Sequence, residues 1–220
     1  MIGKSIWTKN AVKGISVRGE RRRREGKIEW RNWDPNKSKI AASILKTKNN
    51  PEIFLPKTGS TCLYLGSSMG GTVSHIHDIV CGSNNHHNGQ IVAVDISPRM
   101  IRDLTALSEI RDGIFPVLAD ARIVEQIAPF LRNHADWIHQ DLSIADQAHT
   151  FVKIISNLLS NKGIGILSLK AASERSSEGD DNSRFQKAQK IIMDSGIRIL
   201  ERMNISSFED QHEVFVCIKN

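Results

Sequence analysis

No apolar run in these 220 residues approaches the roughly 18 needed to cross a membrane. The opening residues, Met1-Ile2-Gly3-Lys4-Ser5, carry no apolar signal core, so a cytoplasmic location is expected. Cysteine is scarce: Cys62, Cys81 and Cys217 are odd in number and far apart. That spacing gives a zinc site no support, and Cys62 and Cys217, inside apolar runs, read as buried small hydrophobes. No internal repeat is visible. The Gly-x-Gly-x-x-Gly fingerprint of dinucleotide sites is also missing.

What stands in its place is Leu63-Tyr64-Leu65-Gly66-Ser67-Ser68-Met69-Gly70-Gly71-Thr72. An apolar run breaks at a glycine and a helical pattern starts at once. Glycine allows a tight turn and a close approach of backbone to ligand. The free N–H groups of the helix start then face any anionic ligand group. The Gly-x-x-x-Gly-Gly spacing favours S-adenosylmethionine, which has no pyrophosphate to cradle. A glycine-rich turn without a ligand is the bland alternative.

Charge is uneven. Residues 1–50 hold 14 Lys+Arg against 4 Asp+Glu, within a chain of formal net charge +6. A basic segment on a mildly acidic body points to a polyanionic partner with a localised footprint. The segment also holds Trp7, Trp30 and Trp33, which a disordered tail rarely would.

Lys27 to Trp33 alternates with period two, Glu25-Gly26 suits a hairpin turn, and Ser38 suits an N-cap for a helix over 39–46. From there apolar runs at 62–65, 91–96, 114–118, 137–142, 163–169, 197–204 and 214–218 predict seven strands. Helical patterns fit 72–80, 98–110, 122–134, 145–160 and 183–195. The alternation predicts a Rossmann-like α/β fold, a mostly parallel seven-stranded sheet with helices on both faces. The close spacing of the last two strands suits the methyltransferase variant, whose last strand inserts antiparallel. A small β-rich unit over 1–52 and the Rossmann-like domain over 53–220 are the expected organisation. Ser173 to Asn182, the one Ser/Glu/Asp-rich stretch, reads as a mobile loop near the active face.

Ligands of open α/β sheets bind beyond the carboxyl ends of the strands. Asp95 and Asp120 end the second and third strands. Asp95 suits the ribose hydroxyls of a nucleoside cofactor and Asp120 its adenine amino group, although either could be a helix cap. Asp141 ends the fourth strand and Lys170 the fifth. Lys170 follows an apolar run with no turn residue, and desolvation there would lower its pKa and fit it to take a proton from a ribose hydroxyl. Lys39 starts the N-terminal helix, and His212 precedes the last strand. His75, His77, His86 and His87 offer no metal-ligand pattern.

Taken together, these residues resemble the fibrillarin family, in particular its short archaeal members, over nearly the whole chain. Ile6-Trp7-Thr8-Lys9-Asn10 with Gly14-Ile15-Ser16-Val17 and Gly19-Glu20 is similar to the family's N-terminal strands. Trp33-Asp34-Pro35-Asn36-Lys37-Ser38-Lys39-Ile40-Ala41-Ala42 and Tyr64-Leu65-Gly66 through Val73-Ser74-His75 resemble two of its motifs. The resemblance implies an S-adenosylmethionine-dependent RNA ribose 2′-O-methyltransferase. It would work on target RNA in a box C/D particle, with guide RNA, a scaffold protein and a kink-turn-binding ribosomal-type protein. It places a Lys-Asp-Lys-His set on Lys39, Asp141, Lys170 and His212. It places the cofactor against Gly66, Ser67, Gly70, Gly71, Thr72, Asp95, Ile96, Asp120, Ala121, Asp141 and Gln147, with no metal. The Gly/Arg-rich extension of eukaryotic members is absent, in keeping with an archaeal origin.

The chain departs from the family pattern at several points. Met69 replaces a small serine, Gly71 a threonine, and Asp95 often a glutamate. Leu142-Ser143-Ile144-Ala145 replaces Val-Ala-Gln-Pro, and Gln211 replaces an aspartate. Two other readings stand beside the enzyme: a non-catalytic particle component with weakened cofactor binding, and a small-molecule methyltransferase or nicotinamide oxidoreductase.

Overall fold

The computed structural model describes residues 5–174 and 179–220. The first strands, β1 (Ile6–Lys9), β2 (Arg22–Glu25) and β3 (Ile28–Trp33), form an antiparallel sheet in the order β1-β3-β2. Glu25 pairs with Ile28 across the Gly26-Lys27 turn, as the sequence predicts. Helix α1 (Lys39–Lys46) follows, and Ser38 caps it by accepting the Ala41 N–H.

The second sheet contains β4 (Thr61–Leu65), β5 (Gln90–Asp95), β6 (Ile114–Leu118), β7 (Ala135–Gln140), β8 (Leu159–Lys170), β9 (Arg198–Asn204) and β10 (His212–Ile218). Its order is β6-β5-β4-β7-β8-β10-β9, parallel from β6 to β8, with β10 inserted antiparallel between β8 and β9. Every residue of β4 is buried, because helices cover both faces of a parallel sheet. Leu63 and Leu65 face a core closed by α4 (Gln147–Leu158) and α5 (Asp181–Asp194). Cys62 and Tyr64 face a second core, where α1, α2 (Gly71–Val80), α3 (Pro98–Ile110) and Trp33 meet. All three cysteines are free and buried, and burial pushes the Cys217 thiol up to about 12.

Two elements differ from the sequence reading. The helix expected over 122–134 is two 3-10 turns, Val124–Gln126 and Ala128–Phe130. Pro129 has no N–H to donate, and its ring would clash with the carbonyl four residues back. Helix α4 stops at Leu158, and β8 begins at the next residue. In the polar stretch after Lys170, Ala171–Ser173 forms a 3-10 turn and Asp180 caps α5 by accepting from Ser183 N. Residues 175–178 of the expected loop and residues 1–4 lie outside the described residues. Among the described residues no helix is long and apolar enough to cross a membrane.

Candidate active site

The turn after β4 is built by glycines with different tasks. Gly66 has φ +78°, and a Cβ there would lie 2.0 Å from the Asp141 carbonyl oxygen. The dihedral and the close approach both demand glycine. Gly70, at φ +79°, is the N-cap of α2, and a side chain there would strike Leu107 and Leu104 of α3. Gly70 therefore packs the turn against α3.

A cavity of about 590 Å³ opens between this turn and the N-terminal sheet. Lys39, Gly66, Ser67, Gly71, Thr72 and Asp141 line it, joined by Trp33 and Arg18. Lys39 Nζ donates to Asp141 Oδ2 at 3.0 Å. The cap of α1 fixes this pair in place. Thr72 Oγ1 donates to Ser38 Oγ at 3.0 Å, tying the start of α1 to the start of α2. Lys39 is the first residue of α1, so this bond sets where its side chain begins.

Lys170 and His212 stand at the neighbouring strand ends, outside that lining. Antiparallel pairing of β8 with β10 sets them opposite each other. Burial lowers the His212 pKa, so the ring is neutral at pH 7. Its Nδ1–H donates to the Asp210 carbonyl at 2.6 Å, the tautomer that network dictates, leaving Nε2 as an acceptor. Gln147, the first residue of α4, meets this strand end. It is fully buried, and its amide bonds the Lys170 backbone twice, donating to O at 3.1 Å and accepting from N at 3.3 Å. It braces the strand end that carries Lys170.

On the other side of the turn, Asp95 accepts the Ser68 and Ser97 N–H groups, each at 2.9 Å. It therefore caps the start of α3 while holding the glycine turn, and Ile96 beside it is 66% exposed. Asp120 forms a forked ion pair with Arg122, whose guanidinium holds its carboxyl below the usual range. Ala121, next to it, is buried.

The sequence reading missed a buried ionic network beneath the cavity. Asp78 of α2 accepts from Arg31 Nη2 at 2.8 Å, Arg111 Nη1 at 2.7 Å, Thr8 Oγ1 at 2.7 Å and Ala11 N at 3.0 Å. Arg31 also pairs with Glu20. Arg31, Arg111 and Asp78 have fully buried side chains. Burial works against the Asp78 charge, but the two arginines outweigh it and hold its carboxyl below the usual range. His75 stacks on Trp33 with ring centres 5.0 Å apart, and its Nδ1 bonds Thr8 Oγ1 at 2.8 Å. The one visible signal was an acid among Ile76, Ile79 and Val80, three residues from His75 and so on the same helical face. Arg31, counted in the basic segment, is thus a structural residue. Arg22, Arg23 and Arg24 of β2 are exposed.

These burials set the pH dependence of folding. Burial, with Arg31 adding, pushes His75 down to about 3; burial, with Arg111 adding, pushes His77 to about 4; burial pushes His139 to about 4. Each folded pKa lies below the unfolded value of about 6.5, so the unfolded chain binds the protons first. Stability from these groups is full above pH 6.5 and is lost as pH falls from about 6.5 towards 4, at roughly 1 kcal/mol per pH unit per histidine. Urea midpoints measured at pH 7.5, 5.5 and 4.5 should fall steadily; a midpoint flat down to pH 4.5 would contradict the burial of these rings.

The geometry matches known proteins. The Fibrillarin family model matches residues 2–220. A fibrillarin-like rRNA/tRNA 2′-O-methyltransferase of Methanococcus voltae is 35% identical over 219 residues, 99% of this chain and 90% of that one. An Aeropyrum pernix fibrillarin with natively bound S-adenosyl-L-methionine superposes with a TM-score of 0.84 at 31% identity, covering 97% of this chain and 89% of that one. A fibrillarin from a fibrillarin/Nop5p complex gives 0.80 at 28% identity, covering 96% and 92%. The two-sheet fold, the glycine turn and the Lys39–Asp141 pair thus sit in a sequence matched almost end to end, and the chain belongs to the fibrillarin family.

Proposed function

We propose that this chain methylates the 2′-hydroxyl of RNA riboses with S-adenosylmethionine, as the catalytic subunit of a box C/D guide particle. The observation that carries the reading is the Lys39–Asp141 ion pair beside the Gly66 turn, with Lys170 on the adjacent strand end. The cavity suits the cofactor: the turn after Gly66 presents Ser67, Gly71 and Thr72 to it, and Asp95, which holds the Ser68 N–H, has lone pairs left beside that turn. The turn residues Ser67, Gly71 and Thr72 would hold the cofactor, with Asp95, Ile96, Asp120 and Ala121 at its nucleoside end. Bound S-adenosylmethionine supplies an electrophilic methyl group.

The chain's own residues then have two tasks. Lys170 takes the proton from the ribose hydroxyl. Asp141 pairs with Lys39 and fixes its ammonium beside the Gly66 turn. Positioning of hydroxyl and methyl in one cleft supplies most of the acceleration. Guide pairing would choose the nucleotide, and a scaffold of the Nop5p kind, with a kink-turn-binding protein, would deliver it. The organisation into a 1–52 unit and a 53–220 catalytic unit belongs to this reading, as does a cytoplasmic site of action.

The exposed arginines of β2 give RNA a phosphate track. Arg22 pairs with Glu29 and Arg23 with Glu25, while Arg24 has no ion pair among the described residues. Replacing Arg24 by alanine should weaken binding to all RNA sequences alike and reduce the slope of log affinity against log salt by roughly 0.7–0.9. An unchanged slope would contradict this track. The function itself is tested by assembling the chain with archaeal guide RNA and both partner proteins. Labelled methyl should pass to a guide-matched RNA. If it does not, and S-adenosylmethionine does not bind either, a non-catalytic role is favoured.

A further inference from the structure

Gly71 is a glycine that no dihedral requires. It starts α2 with ordinary negative φ, unlike Gly66 and Gly70 on either side of the turn. The only atom that a Cβ there would meet within 4 Å is Arg18 Cγ, at 3.6 Å. The Arg18 stem thus lies within ordinary van der Waals reach of the first turn of α2. Arg18 comes from the loop before β2 and lines the cavity with Gly71 and Thr72. Its side chain makes no hydrogen bond or ion pair among the described residues, because Glu20, the nearest acid in sequence, is committed to Arg31 and to the backbone N–H groups of Val17 and Arg18.

Two acids of this cavity already hold local partners. Asp141 is bound to Lys39, and Asp34 accepts from Asn36. Trp33, another wall of the cavity, is 2% exposed, and its indole N–H has no partner among the described residues. A guanidinium with no ion pair among the described residues and the amide groups of a helix start thus border one space, and both favour an anion.

Resting on the function proposed above, we infer that Arg18 binds the carboxylate of the methionine end of S-adenosylmethionine. The carboxylate is the one anionic group of that molecule. With the nucleoside end held at Asp95, on one side of the turn, its amino-acid end extends towards Gly71 and Thr72, on the other. The guanidinium offers two parallel N–H donors, the geometry that a carboxylate accepts best. Arg18 is a cofactor-binding residue supplied by the N-terminal segment, so the mobility of that segment becomes linked to cofactor occupancy.

The test compares two ligands on the full chain by calorimetry. S-adenosylmethionine carries the amino-acid tail on a sulfonium; 5′-methylthioadenosine keeps the nucleoside and S-methyl group as a neutral thioether without the tail, so the comparison is of how much each loses on substitution of Arg18. Arg18→Ala should weaken S-adenosylmethionine about ten- to a hundred-fold, the range for a lost charge-assisted contact, and leave methylthioadenosine within about twofold. Arg18→Lys should recover part of the loss. An equal loss for both ligands, or none for either, would overturn the inference. So would an unchanged S-adenosylmethionine affinity with a weakened, less salt-dependent RNA affinity, which would assign Arg18 to phosphate. If the unsubstituted chain binds methylthioadenosine but not S-adenosylmethionine, the carboxylate site is absent. If it binds neither, the functional reading beneath the inference fails first.

Discussion

Lys170→Ala is expected to lower the methyl-transfer rate about 10²–10⁴-fold, the contribution of a positioned general base. S-adenosylmethionine affinity should stay within about twofold. The separation follows from how the residue is held. Lys170 ends β8, its backbone is bonded twice by the buried Gln147 amide, and its neighbour across the sheet is His212. Removing the ammonium leaves that frame and the Gly66 turn intact. Lys170→Arg should not restore activity, because a guanidinium stays charged and cannot accept the proton. Single-turnover rates at saturating RNA, beside binding titrations, separate the two effects. Wild-type rates in the alanine variant would remove Lys170 from the chemistry.

Asp78→Ala should destabilise the protein by about 3–5 kcal/mol, because it leaves Arg31 and Arg111 as buried charges with too little compensation. For a chain of this size that corresponds to a fall of roughly 10 °C in Tm. The loss should also be directional. Asp78 holds Thr8 and Ala11 from the N-terminal segment, Arg31 from β3 and Arg111 after α3. Hydrogen exchange should therefore quicken first across β1–β3, where the network is the bridge to α2, and later in β4 and β5. Loosening that sheet also moves Trp33 and the segment leading to Lys39, so activity should fall at temperatures where the fold survives. Asp78→Asn, nearly the same in shape but uncharged, should cost a similar amount. A Tm within about 2 °C of wild type would show that the network carries little.

What the sequence made legible was local. The break at Gly66, the Ser38 cap, the Pro98 start of α3 and the period-two run into Trp33 depend on nearest neighbours, and each stands where it was read. The inserted last strand was readable from two strands crowded after the final helix. The stretch 122–134 misled because its apolar residues recur at helical spacing, while Pro129 and the Asp120–Arg122 turn break the backbone pattern. Longer-range facts were hidden. Arg31 pairs with Glu20 only 11 positions back, but the partners that bury it, Asp78 and Ser74, are more than 40 residues away. The bracing of β8 by the Gln147 amide was equally hidden, because it joins positions 23 apart. Of the candidate tetrad, Asp141 and Lys170 are legible as strand ends, Lys39 as a helix start and His212 as the opening of the last strand, while the bond joining Lys39 to Asp141 spans 102 positions and required the fold.

The central claim is that the acceptor is a ribose 2′-oxygen. The direct measurement gives the assembled particle two target RNAs that differ only in that atom. One carries the ribose at the guided position, and its twin carries 2′-deoxyribose there. Labelled methyl from S-adenosylmethionine should enter the first at the guided nucleotide and leave the twin at background. Equal labelling of both would place the methyl elsewhere and contradict the account.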